Sequence, residues 1–93
     1  MVKIIELSAD EIAKRERFSK LYKIAQEIMP KISIIYQVGN SFKVGASLSE
    51  HILVTPSDNE IWVSQKEGFD LAMKFAREYE SRGESEFTIK KNY

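Results

Sequence analysis

Cysteine is absent from the 93 residues, which excludes a disulfide framework, a thiolate metal site and a cysteine nucleophile, and makes a reducing interior the expected compartment. Proline occurs twice and glycine four times, too few for a flexible linker or a low-complexity chain. Histidine and tryptophan occur once each. Neither sign of charge is in excess. The 14 Lys and Arg balance 14 Asp and Glu, which removes the bulk attraction for phosphates or anionic membranes, although a local patch can still supply it. No uncharged stretch approaches the roughly 20 apolar residues of a membrane span. The run Met1-Val2-Lys3-Ile4-Ile5-Glu6-Leu7 lacks the apolar segment and small-residue cleavage site of a secretory leader, so a soluble, cytoplasmic protein is expected.

Against these absences stand 43% hydrophobic and 11% aromatic residues, enough to build a core, in a length that suits one α+β domain over residues 1–93. Eleven Ile against five Leu, and eleven Glu against three Asp, lean toward the ion-pair-rich surface of a thermophile. An AT-rich genome gives the same bias, and the composition suits a small archaeal or archaeal-virus protein.

Eight elements follow from pattern. Val2 to Leu7 reads as a short strand, and Ser8-Ala9-Asp10-Glu11 has the capping-box spacing that starts a helix. A helix from Ala9 to Met29 follows, with Phe18, Leu21, Tyr22, Ala25, Ile28 and Met29 on one stripe and Pro30 stopping it. Ile32 to Val38 and Phe42 to Leu48 alternate apolar and polar residues around Gly39-Asn40-Ser41, a hairpin pattern. His51 to Thr55 and Glu60 to Ser64 form a second hairpin about Pro56-Ser57-Asp58-Asn59. Ser64-Gln65-Lys66-Glu67 repeats the capping-box spacing and opens a second helix ending at Gly83, and Glu86 to Lys90 reads as a last strand. The order β-α-β-β-β-β-α-β predicts a two-layer sandwich, an antiparallel sheet of a four-strand meander plus terminal strands with two helices on one face. It resembles a ferredoxin-like βαββαβ unit with one inserted hairpin, a fold that hosts many unrelated functions.

In such a layout the sheet face away from the helices is the informative surface. Pairing Tyr36 with Val44, Ala46 with Val54 and Val54 with Ile61 puts these residues, with Ile34, Phe42, Ile52 and Val63, under the helices. Ser33, Ser47, Leu53 and Trp62 then line up on the open face, flanked by Ile35, Gly45, Gln37, Lys43 and Glu60. A one-residue slip at Ile52-Leu53-Val54 would exchange their faces. Trp62, Leu53 and Ile35 form an apolar patch of the kind a protein partner or a homodimer uses, or a core covered by the segment from Phe87 to Tyr93. On the second helix, Phe69, Ala72, Met73 and Ala76 suffice as a core stripe. Leu71, Phe75 and Tyr79 widen the arc, and Phe75 is taken as a second partner-binding residue unless a neighbouring element of the chain covers it.

The alternative class is nucleic-acid binding. Arg17, Lys20 and Lys23 on the first helix, with Lys31 and Lys43, supply a basic side that could lie along phosphates. Glu16 four residues before Lys20, and Glu27 four after Lys23, favour a solvated ion-pair face instead, and Asp70 with Lys74 and Glu78 with Arg82 read the same way. Base stacking on Trp62, aided by Lys43, His51 and Lys90, is a further route, without the aromatic motifs of RNA-recognition domains. For catalysis the inventory is thin: His51 stands beside Glu50, whose side chain points to the other face of a strand. Asp58-Asn59, Glu84 and Glu86 are explained by turns and solubility. No phosphate-binding loop and no metal-ligand spacing occurs, so no enzyme, cofactor, metal or membrane is expected.

Overall fold

The computed structural model describes residues 2, 4, 6, 8–28, 34–45 and 50–93, the side chains of 34–36 excepted. Helix α1 spans Ala9–Ile28. It starts as the capping pattern requires, with Ser8 Oγ accepting the Glu11 amide at 3.2 Å. Residues 9–16 are exposed, and the buried stripe is Leu21, Ile24 and Ala25, with Phe18, Tyr22 and Ile28 packed at its margin. Met29 and Pro30 lie outside the described residues.

Strands β1 (Ile34–Val38) and β2 (Ser41–Gly45) form the expected hairpin, closed by Gly39-Asn40 alone, with Gly39 at φ +61°. A two-residue loop that begins on a left-handed glycine matches the right-handed twist of its strands, so Ser41 joins the ladder. The register therefore moves by one. Tyr36 pairs with Lys43, Ile35 with Val44 and Gln37 with Phe42, in place of the expected Tyr36–Val44 pair. Strand β3 (His51–Thr55) pairs Phe42 with Val54 and Val44 with Ile52, not Ala46 with Val54. This difference of four residues is even, and so leaves the side chains of β2 and β3 on their expected faces, whereas the one-residue shift in β1 exchanges the rows of Ile35 and Tyr36. Ala46, Ser47 and Leu48 lie outside the described residues, as does Ser33. Gly45 has no room for a side chain, since a Cβ would stand 2.5 Å from the Glu50 carbonyl oxygen.

A 3-10 turn, Pro56–Asp58, and Asn59 in the left-handed region (φ 53°) lead into β4, Glu60–Val63. Val54 pairs with Ile61 as expected, and Leu53 with Trp62. Ser64 does not cap the second helix. A 3-10 turn, Lys66–Gly68, precedes α2 (Phe69–Ser81), and neither N-cap residue, Gln65 or Gly68, uses a side chain. The chain turns by close backbone packing instead, because a Cβ on Gly68 would lie 2.6 Å from the His51 carbonyl oxygen. The other end of α2 is as expected. Gly83 (φ +89°) donates to the Glu80 carbonyl and Glu84 to that of Tyr79, both at 3.0 Å, the paired bonds that close a helix on a left-handed glycine.

Strand β5, Thr88–Lys91, runs parallel to β4, pairing Ile61 with Ile89 and Trp62 with Lys90. The five strands stand in chain order, β1 to β5, three antiparallel junctions and one parallel, which is not the interleaved order of a ferredoxin-like unit. Of the strand predicted over 2–7, the described residues Val2, Ile4 and Glu6 belong to no strand, and Val2 and Ile4 are 88% and 84% exposed. The place beside β4 is taken by β5.

Both helices cover one face of the sheet. Phe42, Val44, Ile52, Val54, Ile61 and Val63 have no exposure there, and Leu21, Ile24, Ala25, Leu71, Ala72, Phe75, Tyr79 and Phe87 close over them. Each such valine, leucine, isoleucine or phenylalanine side chain contributes roughly 1.5–3 kcal/mol by leaving water. Phe75 is thus core and not a partner-binding residue. Periodicity allows either half of the wide arc of α2 to face inward, and Leu71, Ala72, Phe75 and Tyr79 take that place, leaving Phe69, Met73 and Ala76 half-buried on the flank. No helix among the described residues is long and apolar enough to cross a membrane.

Candidate interaction surface

The strand registers assign the other sheet face residue by residue. One row runs Lys43, Leu53, Trp62, Lys90 across β2 to β5, and Tyr36 of β1 continues it by register. A neighbouring row holds Ser41, Thr55, Glu60 and Thr88, with Ser41 Oγ and Thr55 Oγ1 hydrogen-bonded at 3.0 Å. Trp62 is 37% exposed, whereas Ile61 and Val63 on either side of it have no exposure. Leu53 and Lys43 are half-buried beside it. The Lys90 ammonium lies 6.0 Å from the centre of the Trp62 ring and 3.3 Å from Glu60. The centre of this face is therefore an indole and a leucine, with Lys43 and the Glu60-paired Lys90 as their neighbours in the row.

Ile35 does not belong to that patch. The one-residue change of register puts it in the row of Val44 and Ile52. Lys90 joins the row through the parallel β4–β5 pairing.

The cations expected to form one basic side are dispersed. The Arg17 guanidinium donates to the Pro56 carbonyl and to Asn59 Oδ1, stands 3.9 Å from Glu84, and covers the Phe87 ring at 5.8 Å. Lys20 also reaches Glu84, at 3.5 Å. Both residues tie α1 to the segment before β5, and Arg17 ties it also to the turn before β4. Glu27 pairs across the helices with Arg82 at 2.6 Å, a bond that raises the Arg82 pKa further. Only Glu78–Arg82, at 3.7 Å, follows the expected spacing along one helix. Lys23 lines a shallow groove of about 300 Å³ with Phe18, Ser19, Tyr22, Gln26 and Gln37, away from the sheet face. Lys31 lies outside the described residues, and Lys43 sits on the open face with Trp62.

His51 borders the same face opposite Gly45, and its Nδ1 is buried without a hydrogen-bond partner among the described residues. Among those residues no group of three His, Asp or Glu side chains is placed to hold a metal ion. Comparison with protein-family models, with curated proteins and with solved structures gives no match.

Proposed function

We propose that this chain is a small cytoplasmic interaction module, acting by binding and not by catalysis, that takes a protein partner or a second copy of itself on the sheet face centred on Trp62 and Leu53. The observation that carries this reading is the exposure of Trp62. A tryptophan at 37% exposure, beside a leucine and on the face away from both helices, offers a large rigid anchor to water. Around it stand Ser41, Thr55, Glu60, Thr88 and two lysines. An apolar centre inside a polar rim is the usual anatomy of a protein interface. The basic-helix reading loses support by comparison, since Arg17 and Lys20 are spent on intramolecular bonds.

Photo-crosslinking tests the proposal. A photoreactive amino acid placed at Leu53 is expected to form a discrete adduct in an extract of the source cells, with another protein or with the chain itself, and Trp62→Glu is expected to abolish it. The same probe at Met73, on the flank of α2, serves as the control. No adduct from position 53, or equal labelling from both positions, overturns the assignment.

A further inference from the structure

We infer that the outer edge of strand β1 is a contact separate from the Trp62 face, at which the chain pairs with a second copy of itself, the two β1 strands lying antiparallel across a two-fold axis and joining two five-stranded sheets into one. The backbone carries the inference. β1 ends the sheet, and no strand among the described residues lies outside it. In a hairpin closed by two residues the flanking pair, Val38 and Ser41, exchanges both of its bonds, and the pattern repeats at every second residue. Ile34, Tyr36 and Val38 are therefore bonded to β2. The amides and carbonyls of Ile35 and Gln37 point outward and form one half of an antiparallel ladder.

The two edges of the sheet are built differently. β5 carries Lys90 and Lys91, the usual guard against pairing with another sheet. β1, Ile34-Ile35-Tyr36-Gln37-Val38, has no charge and no proline, and its unbroken register with β2 contains no bulge. Val38 stands 43% exposed at its end. An uncharged strand meets its own copy without opposing like charges. With the two-fold axis at Tyr36, Ile35 of each copy stands against Gln37 of the other, and every outward group of both residues is bonded.

The helix layer selects a second copy over a bare peptide strand. Beside the edge, a groove of about 300 Å³ lies between Phe18 and Tyr22 of α1 and Gln37 of β1. Both rings stand edge-on to Phe42 of β2, at 5.4 and 5.5 Å between centres. In the joined sheet the two copies of Phe42 are three strand intervals of about 4.8 Å apart, roughly 14 Å. The two grooves then face each other across the axis, and each copy brings half-buried aromatic rings to the other. A peptide strand would complete the ladder and leave the groove open.

Sedimentation equilibrium of the full chain tests the contact, with amide hydrogen exchange followed by NMR over the same concentration series. The chain is expected to dimerise with a dissociation constant between about 1 μM and 1 mM, the range of a small reversible interface. As the dimer forms, the amides of Ile35 and Gln37 are expected to gain more protection than those of Tyr36 and Val38, which are already bonded within the chain. Gln37→Pro removes an outward amide and no ladder bond of its own chain, and is expected to weaken the dimer at least about tenfold with unchanged circular dichroism. Should that variant fail to fold, hydrogen exchange in the parent chain decides alone. A monomer throughout the series overturns the inference. So does protection of Ile35 and Gln37 that is independent of concentration, the mark of an edge covered by the same chain. A dimer that persists in folded Gln37→Pro and dissociates in Trp62→Glu overturns it too, and moves the self-contact to the Trp62 face.

Discussion

Ser8 and Ser64 stand in the same sequence pattern and do different things. Ser8 satisfies the Glu11 amide, so Ser8→Ala is expected to cost about 1 kcal/mol in a denaturant melt. Ser64 is exposed and caps neither helical segment, so Ser64→Ala should stay within about 0.5 kcal/mol of the parent. The same contrast separates two aromatic residues. Phe75→Ala removes a fully buried ring and is expected to cost about 3–5 kcal/mol, whereas Trp62→Ala, at a site already 37% open to water, should cost about 2 kcal/mol and leave the fold intact. Tyr79 adds a pH dependence. Its hydroxyl donates to the Leu21 carbonyl at 3.1 Å, and burial, with a smaller contribution from Glu84, pushes its pKa well above the usual tyrosine range. A raised folded-state pKa means that the native chain holds the proton more tightly than the unfolded one. This stabilisation is complete below the unfolded value of about 10 and is lost as pH climbs above it. Melts above that pH should show the loss, and Tyr79→Phe should lower stability by about 1 kcal/mol at neutral pH while flattening the alkaline limb.

Between elements, the decisive bonds join segments far apart in the chain. Glu84 holds both Arg17 and Lys20, with 13% of its own side chain exposed. Because the two cations are far more open to water, Glu84→Gln is expected to cost only about 0.5–1 kcal/mol, measured as a low-salt loss that fades in concentrated salt. Sequence pattern reads short-range signals well and such bonds not at all. Alternation at Phe42, Val44, Ile52, Val54, Ile61 and Val63 assigned the buried face correctly, because a period of two is fixed by the pleat itself. Pairing register was less legible. The β1–β2 turn closes on two residues where three were read, and that single residue carries Ile35 out of the candidate patch. On α2 the apolar arc is wider than one face, and only the tertiary packing decides that Phe75 and Tyr79 point inward while Phe69 and Met73 remain at the flank. Trp62 was legible because Ile61 and Val63 on either side of it are core, whereas Leu53 stands in the all-apolar run Ile52-Leu53-Val54, where a slip of one residue would exchange the faces, and only its pairing with Trp62 fixes its side. The destination of Arg17 was beyond reach, since its acceptors lie 39 and 42 residues away.

At the scale of the molecule, the last ten residues hold the two layers together. Phe87 is 5% exposed and lies 5.0 Å from the Tyr79 ring, Glu84 anchors α1, and β5 covers the outer edge of β4. A domain of this size has a margin of only about 5–14 kcal/mol, so a chain ending at Gly83 is expected to lose its folded circular-dichroism signal. The sheet itself has one further property. Lys43, Leu53, Trp62 and Lys90 come from four consecutive strands, so whatever lies along their row bridges every junction from β2 to β5 at once. An occupant of that kind acts as a transverse strap. By mass action, saturation at a hundred times its dissociation constant adds about 2.7 kcal/mol to the folded state, and at roughly 4–8 °C per kcal/mol the chain's own melting temperature registers that the row is filled.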